Sequence, residues 1–293
     1  MKKPTMNNLI EQINTKLNQS IQNSSLNTDL EESMMYSLQA GGKRIRPVLL
    51  LLTLNMLKGD YDKGVQSALA LEMIHTYSLI HDDLPAMDDD DYRRGKLTNH
   101  KVYGEWKAIL AGDALLTKAF ELVSNDELLE DQVRVKLVQR LSKASGHLGM
   151  VGGQTLDMQS ENKTVDLTTL EAIHKAKTGA LLTFAVMAAV DIAQVNQETS
   201  DYLEEFSQHL GLMFQIKDDL LDVYGDEEKL GKAVGSDETN HKSTYVSLLG
   251  KEGAEDKLDY HMKQALYCLD CLPSQFDTAQ LKEIVDLFYN RDH

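Results

Sequence analysis

Proline is scarce in this chain, 4 residues in 293, and glycine is modest at 18. These are the residues that break and turn a backbone, so their shortage argues against a fold of many short strands and favours long helices. Cysteine is nearly absent. Cys268 and Cys271 form one C-x-x-C pair; no second pair completes a four-ligand zinc site and no βαβ pattern surrounds it, so it is given no special role. Such sparing use fits a reducing cytoplasm. No run approaches the roughly 18 apolar residues of a membrane span, and the two most apolar stretches, 48–57 and 180–193, read as buried helices. The opening Met1-Lys2-Lys3-Pro4-Thr5-Met6 is not followed by the apolar core of a signal peptide, so neither export nor stable membrane insertion is expected. Positive charge is in deficit, 30 Lys+Arg against 46 Asp+Glu for a net charge of -16, which speaks against nucleic acid as a partner.

What is present is helical periodicity. Met6, Ile10, Ile13, Leu17 and Ile21 recur at three- and four-residue steps, the stripe of an amphipathic helix. The same pattern runs over 30–40, 64–84, 106–124, 128–146, 152–160, 167–192, 201–224, 253–272 and 278–289. No stretch alternates like a strand and no repeat of 20 to 50 residues emerges. The expected architecture is all-α: a single-domain helical bundle over 1–293, long enough to bury roughly three quarters of its unfolded surface.

The unusual feature is the end of the 64–84 run, His81-Asp82-Asp83-Leu84-Pro85-Ala86-Met87-Asp88-Asp89-Asp90-Asp91-Tyr92-Arg93-Arg94-Gly95. Two carboxylates about 4 Å apart repel by roughly 1 kcal/mol in water and roughly 4 kcal/mol at an effective dielectric of about 20, so such a cluster calls for a positive partner. A hard divalent cation suits it, because Mg²⁺ commonly joins one or two carboxylates to substrate phosphates. Pro85 breaks the helix here, which frees Asp88 from helical register with Asp82. His75 lies seven residues before Asp82, about two turns along the same face.

A second acidic group, Gln215-Ile216-Lys217-Asp218-Asp219-Leu220-Leu221-Asp222, sits in an apolar helix with Asp218 and Asp222 at i, i+4. Like charges at that spacing weaken an isolated helix by a few tenths of a kcal/mol, and carboxylates among Leu and Met suggest a cleft. Two cationic loops accompany the acidic helices. Gly41-Gly42-Lys43-Arg44-Ile45-Arg46-Pro47 opens a helix, where exposed N–H groups and the positive dipole end suit an anion. The other runs from Lys232 to Lys242. In the small-residue segment before 160, Gln154 and Asp157 are one turn apart, as readily a buried polar pair as a site. Together the pieces describe a site for two phosphorylated molecules with hydrocarbon remainders, the metals and cations sharing the phosphates.

These motifs, with Lys177-Thr178-Gly179, resemble in full order those of the trans-isoprenyl diphosphate synthases, over nearly the whole chain from Gly41. The resemblance implies the isoprenoid-synthase helical fold with a central cavity and a head-to-tail condensation dependent on Mg²⁺, with three ions in the family and Mn²⁺ an alternative. It implies that Asp82, Asp83, Asp88, Asp218 and Asp222 are the metal-binding residues. Arg93, Lys177 and Lys232 would stabilise the departing diphosphate of the allylic substrate, dimethylallyl or geranyl diphosphate. Lys43, Arg46, His75 and Arg94 would hold isopentenyl diphosphate, with Lys242 in the second basic loop. Thr178, Gln215 and the Lys177 carbonyl would face the allylic cation. An aromatic at Tyr77, beside Ser78, together with the two extra residues Pro85 and Ala86, matches the family's C15-forming bacterial type and implies farnesyl diphosphate as product; a C20 or longer product is the alternative. The family also implies a homodimer. A terpene cyclase would not need the 43–46 loop, and a non-catalytic acidic partner or metal buffer would not need both acidic motifs together with both basic loops.

Overall fold

A computed structural model describes residues 4–21, 26–225 and 242–292. Among the described residues the secondary structure is helical apart from one short hairpin. The chain falls into two compact units, one of residues 1–51 and 60–138, the other of 52–59 and 139–293.

In the first unit, α1 (Met6–Ser20) is capped by the Thr5 hydroxyl, which accepts from the Asn8 N–H, and it buries Leu9, Ile13 and Leu17. The Asn27 side chain caps α2 (Thr28–Leu38) in the same way. Helix α3 (Ile45–Lys58) starts in this unit and carries on into the next stretch of chain. Central to the unit is α4 (Val65–Asp82), buried on nearly every side over its first two thirds, a helix apolar all round and therefore enclosed. It packs chiefly on α6 (Glu105–Ser124), reached through the short α5 (Asn99–Tyr103). Between α4 and α5 lies a hairpin of β1 (Tyr92–Arg93) and β2 (Lys96–Leu97), pairing Tyr92 with Leu97 and Arg93 with Lys96. Its turn residues Arg94 and Gly95 have φ +55° and +75°, the left-handed pair of a type I′ turn.

After α7 (Asp131–Ser145), the second unit holds α8 (Met150–Ser160), α9 (Leu167–His174), α10 (Ala180–Ala193), α11 (Gln197–Tyr224), α12 (Tyr245–Asp270) and α13 (Ala279–Asn290). Helix α10 is buried from Leu181 to Ala193, and its one carboxylate, Asp191, takes two hydrogen bonds from Arg140 at 2.6 and 3.1 Å. The α11–α12 pair forms the most extensive contact. By length and composition the run Leu167–Ala193 could cross a membrane, but 78% of its most apolar window is buried inside the protein.

Two departures from sequence periodicity matter. The run expected as one helix over 167–192 is interrupted by a π turn at Lys175–Gly179, a bulge that periodicity alone cannot show. Helix α12 begins at Tyr245 rather than 253, and Gly250 at φ +71° carries a kink within it. The thiols of Cys268 and Cys271 are free, and burial pushes Cys268 up to about 12, which keeps it a thiol.

Candidate active site

Helix α4 ends at Asp82, so this carboxylate stands at the negative end of the helix dipole, an unfavourable place unless a cation joins it. Beyond it the chain folds back, and the Asp88 N–H donates to the Asp82 carbonyl at 2.9 Å while Asp89 N–H reaches the Leu84 carbonyl at 3.1 Å. This turn brings the backbone of Asp88 against that of Asp82 although six positions separate them. Asp88 is exposed and Asp82 half-buried. Asp83, only 3% exposed, accepts from Arg93 Nε at 2.7 Å and lies 2.5 Å from its Nη2. Burial raises the Asp83 carboxyl despite this partner. At Arg93 burial is the largest single influence and lowers it, but the hydrogen bond and charge of Asp83, with the charges of Asp90 and Asp82, together raise it.

The basic loop splits by role. Arg44 (φ +50°) turns inward: Nη1 meets Glu72 Oε1 at 2.6 Å, Nε meets Asn14 Oδ1 at 2.9 Å, and Nη2 bonds the Leu38 carbonyl. It is a buried structural cation, a role that its neighbours in sequence could not reveal. Lys43 is exposed and Arg46 half-buried, with Arg46 Nη1 3.3 Å from His75 Nε2. Burial, then the charges of Arg46, Arg94, Arg93 and Arg44, hold His75 well below its ordinary value. Of these, Arg44 is committed to Glu72 and Arg93 to Asp83, which leaves the charges of Arg46 and Arg94 as those suited to an anion. Arg94 donates to the Gly41 carbonyl, and a Cβ on Gly42, which has φ +131°, would stand 2.6 Å from Arg94 Nη1. The glycine pair is thus needed for both backbone angle and room.

Tyr77, 6% exposed, sets its ring edge against His81 at 5.7 Å, and burial followed by the Asp82 charge pushes its phenol up to about 12. The Ser78 hydroxyl donates to the His75 carbonyl at 2.8 Å. His81 docks on α6 through Nε2 at 3.0 Å from the Ile109 carbonyl and serves packing.

In the second unit, Asp157 brings two of the expected cations together. Its Oδ2 lies 2.6 Å from Lys177 Nζ and 3.6 Å from Lys242 Nζ, which also approaches Glu161 at 3.6 Å. Burial alone would raise Asp157, but the two lysines prevail and lower it. The π turn places Lys177 and buried Thr178 against α8 so closely that a Cβ on Gly153 would meet Lys177 N at 2.2 Å. On α11, Gln215 Nε2 is 3.3 Å from His174 Nδ1. Asp218 pairs with Arg291 Nη2 at 2.5 Å, and that guanidinium also donates to the Phe214 carbonyl and covers the Phe214 ring. Asp219 accepts the Tyr245 N–H at 2.7 Å; Asp222 is 3% exposed. Lys232 lies outside the described residues. Asp157, His174 and Arg291 were missed as partners because each sits far in sequence from the motif it serves.

Both acidic clusters offer oxygen donors only, the chemistry of a hard cation. Among the described residues no three Asp, Glu, His or Cys side chains are gathered into a ready-made cage. Mg²⁺ fits such a donor set, since it keeps waters and takes phosphate oxygens rather than requiring an all-protein cage.

The polyprenyl synthetase profile matches residues 27–273. Farnesyl diphosphate synthase of Bacillus subtilis is 53% identical over 267 residues, covering 90% of this chain and 89% of its own. The enzyme of the same name from Geobacillus stearothermophilus is 50% identical over 98% of this chain and 97% of its own. Among solved structures, the geranyltransferase from Helicobacter pylori complexed with magnesium and isoprenyl diphosphate superimposes with a TM-score of 0.83 at 34% identity, covering 97% of this chain and 95% of that one.

Proposed function

The chain belongs to the polyprenyl synthetase family, and from that premise we propose that it condenses isopentenyl diphosphate with dimethylallyl and then geranyl diphosphate to give farnesyl diphosphate. The observation that supports this reading best is the placing of cations next to carboxylates in the first unit, Arg46 against His75 on α4 and Arg93 against Asp83 at its end. It supplies an anion site for one diphosphate next to donors suited to the ions of another.

In this reading Lys43, Arg46, His75 and Arg94 grip the diphosphate of isopentenyl diphosphate, Arg94 through a planar fork that matches phosphate oxygens. Asp82 and Asp88, backed by Asp83, and Asp218 with Asp222 would hold the Mg²⁺ ions, three by family pattern and replaceable by Mn²⁺. Bound Mg²⁺ supplies charge neutralisation for a diphosphate leaving group. Arg93, Lys177 and Lys242, with Lys232 by family pattern alone, would add positive charge where negative charge develops as the allylic C–O bond breaks. Thr178, Gln215 and the Lys177 carbonyl turn their negative ends to the allylic cation. The double bond of isopentenyl diphosphate attacks, the new C–C bond forms, and the proton leaves to the released diphosphate, since no side chain among the described residues is placed as a general base. Tyr77, with Ser78 beside it, closes the pocket at C15.

Residues 1–293 act as one catalytic domain in the cytoplasm. Trp106, Ile109 and Leu110, 64, 42 and 47% exposed on one face of α6, support a homodimer that covers them. The test of the function is to incubate the protein and Mg²⁺ with isopentenyl diphosphate and each of the C5, C10 and C15 allylic diphosphates and identify the chains formed. Farnesyl diphosphate from the C5 and C10 partners is expected; no condensation product from any of them would sink the reading.

A further inference from the structure

His174 closes a ring of contacts around Gln215. The Gln215 amide nitrogen carries only donors, so the lone pair at 3.3 Å must belong to His174 Nδ1, and the imidazole proton then resides on Nε2. His174 stacks on Tyr245, centroids 5.7 Å apart and planes 14° apart. Tyr245 is fully buried, and its N–H is fastened to Asp219, one turn beyond Gln215 on α11. The ring therefore runs from α11 to the start of α12, to the end of α9 and back to α11, just before the π turn with Lys177 and Thr178. Burial, opposed by Asp157 and aided by Lys177, lowers His174 to about 4, so the ring is neutral at neutral pH and able to accept.

What separates this histidine from His100 and His261, whose Nε2 atoms are likewise buried without a partner, is that its Nδ1 meets a glutamine amide. Its Nε2 is buried with no hydrogen-bond partner, a cost of about 1–3 kcal/mol that an apolar ring of the same shape would avoid. Stability gives no reason to keep an imidazole there, whereas its Nδ1 does something no phenyl ring can do. We infer that His174 is a positioning residue that holds the Gln215 amide by its nitrogen and so presents the carbonyl oxygen Oε1, rather than the NH₂, to the allylic cation. An amide free to rotate would show its donor end half the time, and a donor repels a cation. This rests on the function proposed above and on Gln215 facing the cation.

The experiment compares His174→Phe, His174→Asn, Gln215→Leu and the double variant His174→Phe/Gln215→Leu in steady-state kinetics. Expected for His174→Phe are a kcat about tenfold lower, KM for both diphosphates within about twofold, and a melting temperature equal to or above wild type. His174→Asn keeps an acceptor near Nδ1 and recovers most of the rate. The double variant is no slower than Gln215→Leu, because the histidine acts only through the glutamine. Independently of any variant's folding, nitrogen NMR of the wild-type imidazole should report the Nε2–H tautomer. An Nδ1–H tautomer, an unimpaired His174→Phe, or multiplying effects in the double variant would overturn the inference. Wild type without product would instead sink the function; an active wild type with an unimpaired Gln215→Leu would remove Gln215 from the cation site.

Discussion

At the scale of single residues, charge environment separates groups that look alike in sequence. Lys43, Arg44 and Arg46 read as one basic cluster, but Arg44 spends its guanidinium on Glu72, Asn14 and Leu38, while Arg46 turns to His75. His75 is then a reporter of what fills the pocket. Its pKa is depressed by burial and four arginines, so without ligand it is neutral at neutral pH. A bound diphosphate offsets those charges and stabilises the imidazolium, which raises the pKa. Between the free and bound values, binding takes up a proton, so affinity should tighten as pH falls through that window. NMR titration of the His75 ring with and without isopentenyl diphosphate should show the upward shift, and His75→Gln should remove this component of the pH dependence. Tyr77 gives a second residue-level test. It is held neutral by burial and by the Asp82 charge, and if it has the proposed role of pocket floor, Tyr77→Ala should open the pocket at a cost of about 3–5 kcal/mol in stability, as for other large-to-small changes. Chromatography of the products should show C20 chains beside C15; an unchanged C15 product would remove Tyr77 from the length-setting role.

At the scale of elements, what was legible in sequence is what obeys a local period. Ile13 and Leu17 of the stripe Met6, Ile10, Ile13, Leu17, Ile21 and the break at Pro85 were readable because neighbours in sequence are neighbours in space, while the buried Leu9 fell outside that stripe. The π turn at 175–179 was not, since one extra residue in a helical turn leaves Leu170 and Leu181 still apolar and still buried. Nor could Asp157 be distinguished from a buried polar residue, because its lysines lie 20 and 85 positions away. The hairpin was hidden for another reason: two residues per strand are too few to alternate, and only Arg94-Gly95 marks its turn. The π turn is testable through the helix that presses on it. Gly153→Ala puts a methyl where Lys177 N stands at 2.2 Å, and backbone cannot yield as a flexible side chain does. Overpacking of about 1–3 kcal/mol is expected, with kcat falling because Lys177 and Thr178 move together; thermal melting and kinetics check both. The exposed face of α6 makes the companion prediction. If the proposed homodimer forms through this face, wild type should sediment as a dimer and Trp106→Asp with Leu110→Asp as a monomer; a monomeric wild type would sink the dimer, and an unaltered dimer mass would place the interface elsewhere.

At the scale of the whole molecule, net charge and local charge pull in opposite directions. A chain at -16 repels anionic substrates at a distance, yet its unusual local features are arginines whose charges act on His75 and carboxylates stationed at a helix end or held in a core. A metal buffer would use the carboxylates alone; an enzyme for diphosphates needs metal and anion together. Ligands that bind only the folded state stabilise it by RT ln(1 + [L]/Kd), about 2.7 kcal/mol at a hundred times Kd. For a chain of this size that is a rise of about 4 °C in melting temperature. Mg²⁺ without diphosphate should therefore shift the melting temperature little, because no protein cage of three such ligands exists among the described residues. Inorganic diphosphate without metal should shift it modestly through the arginines. Both together should exceed the sum of the separate shifts, since each completes the other's coordination. Differential scanning calorimetry across the four conditions measures this coupling directly, and a full shift from Mg²⁺ alone would favour the buffer over the transferase.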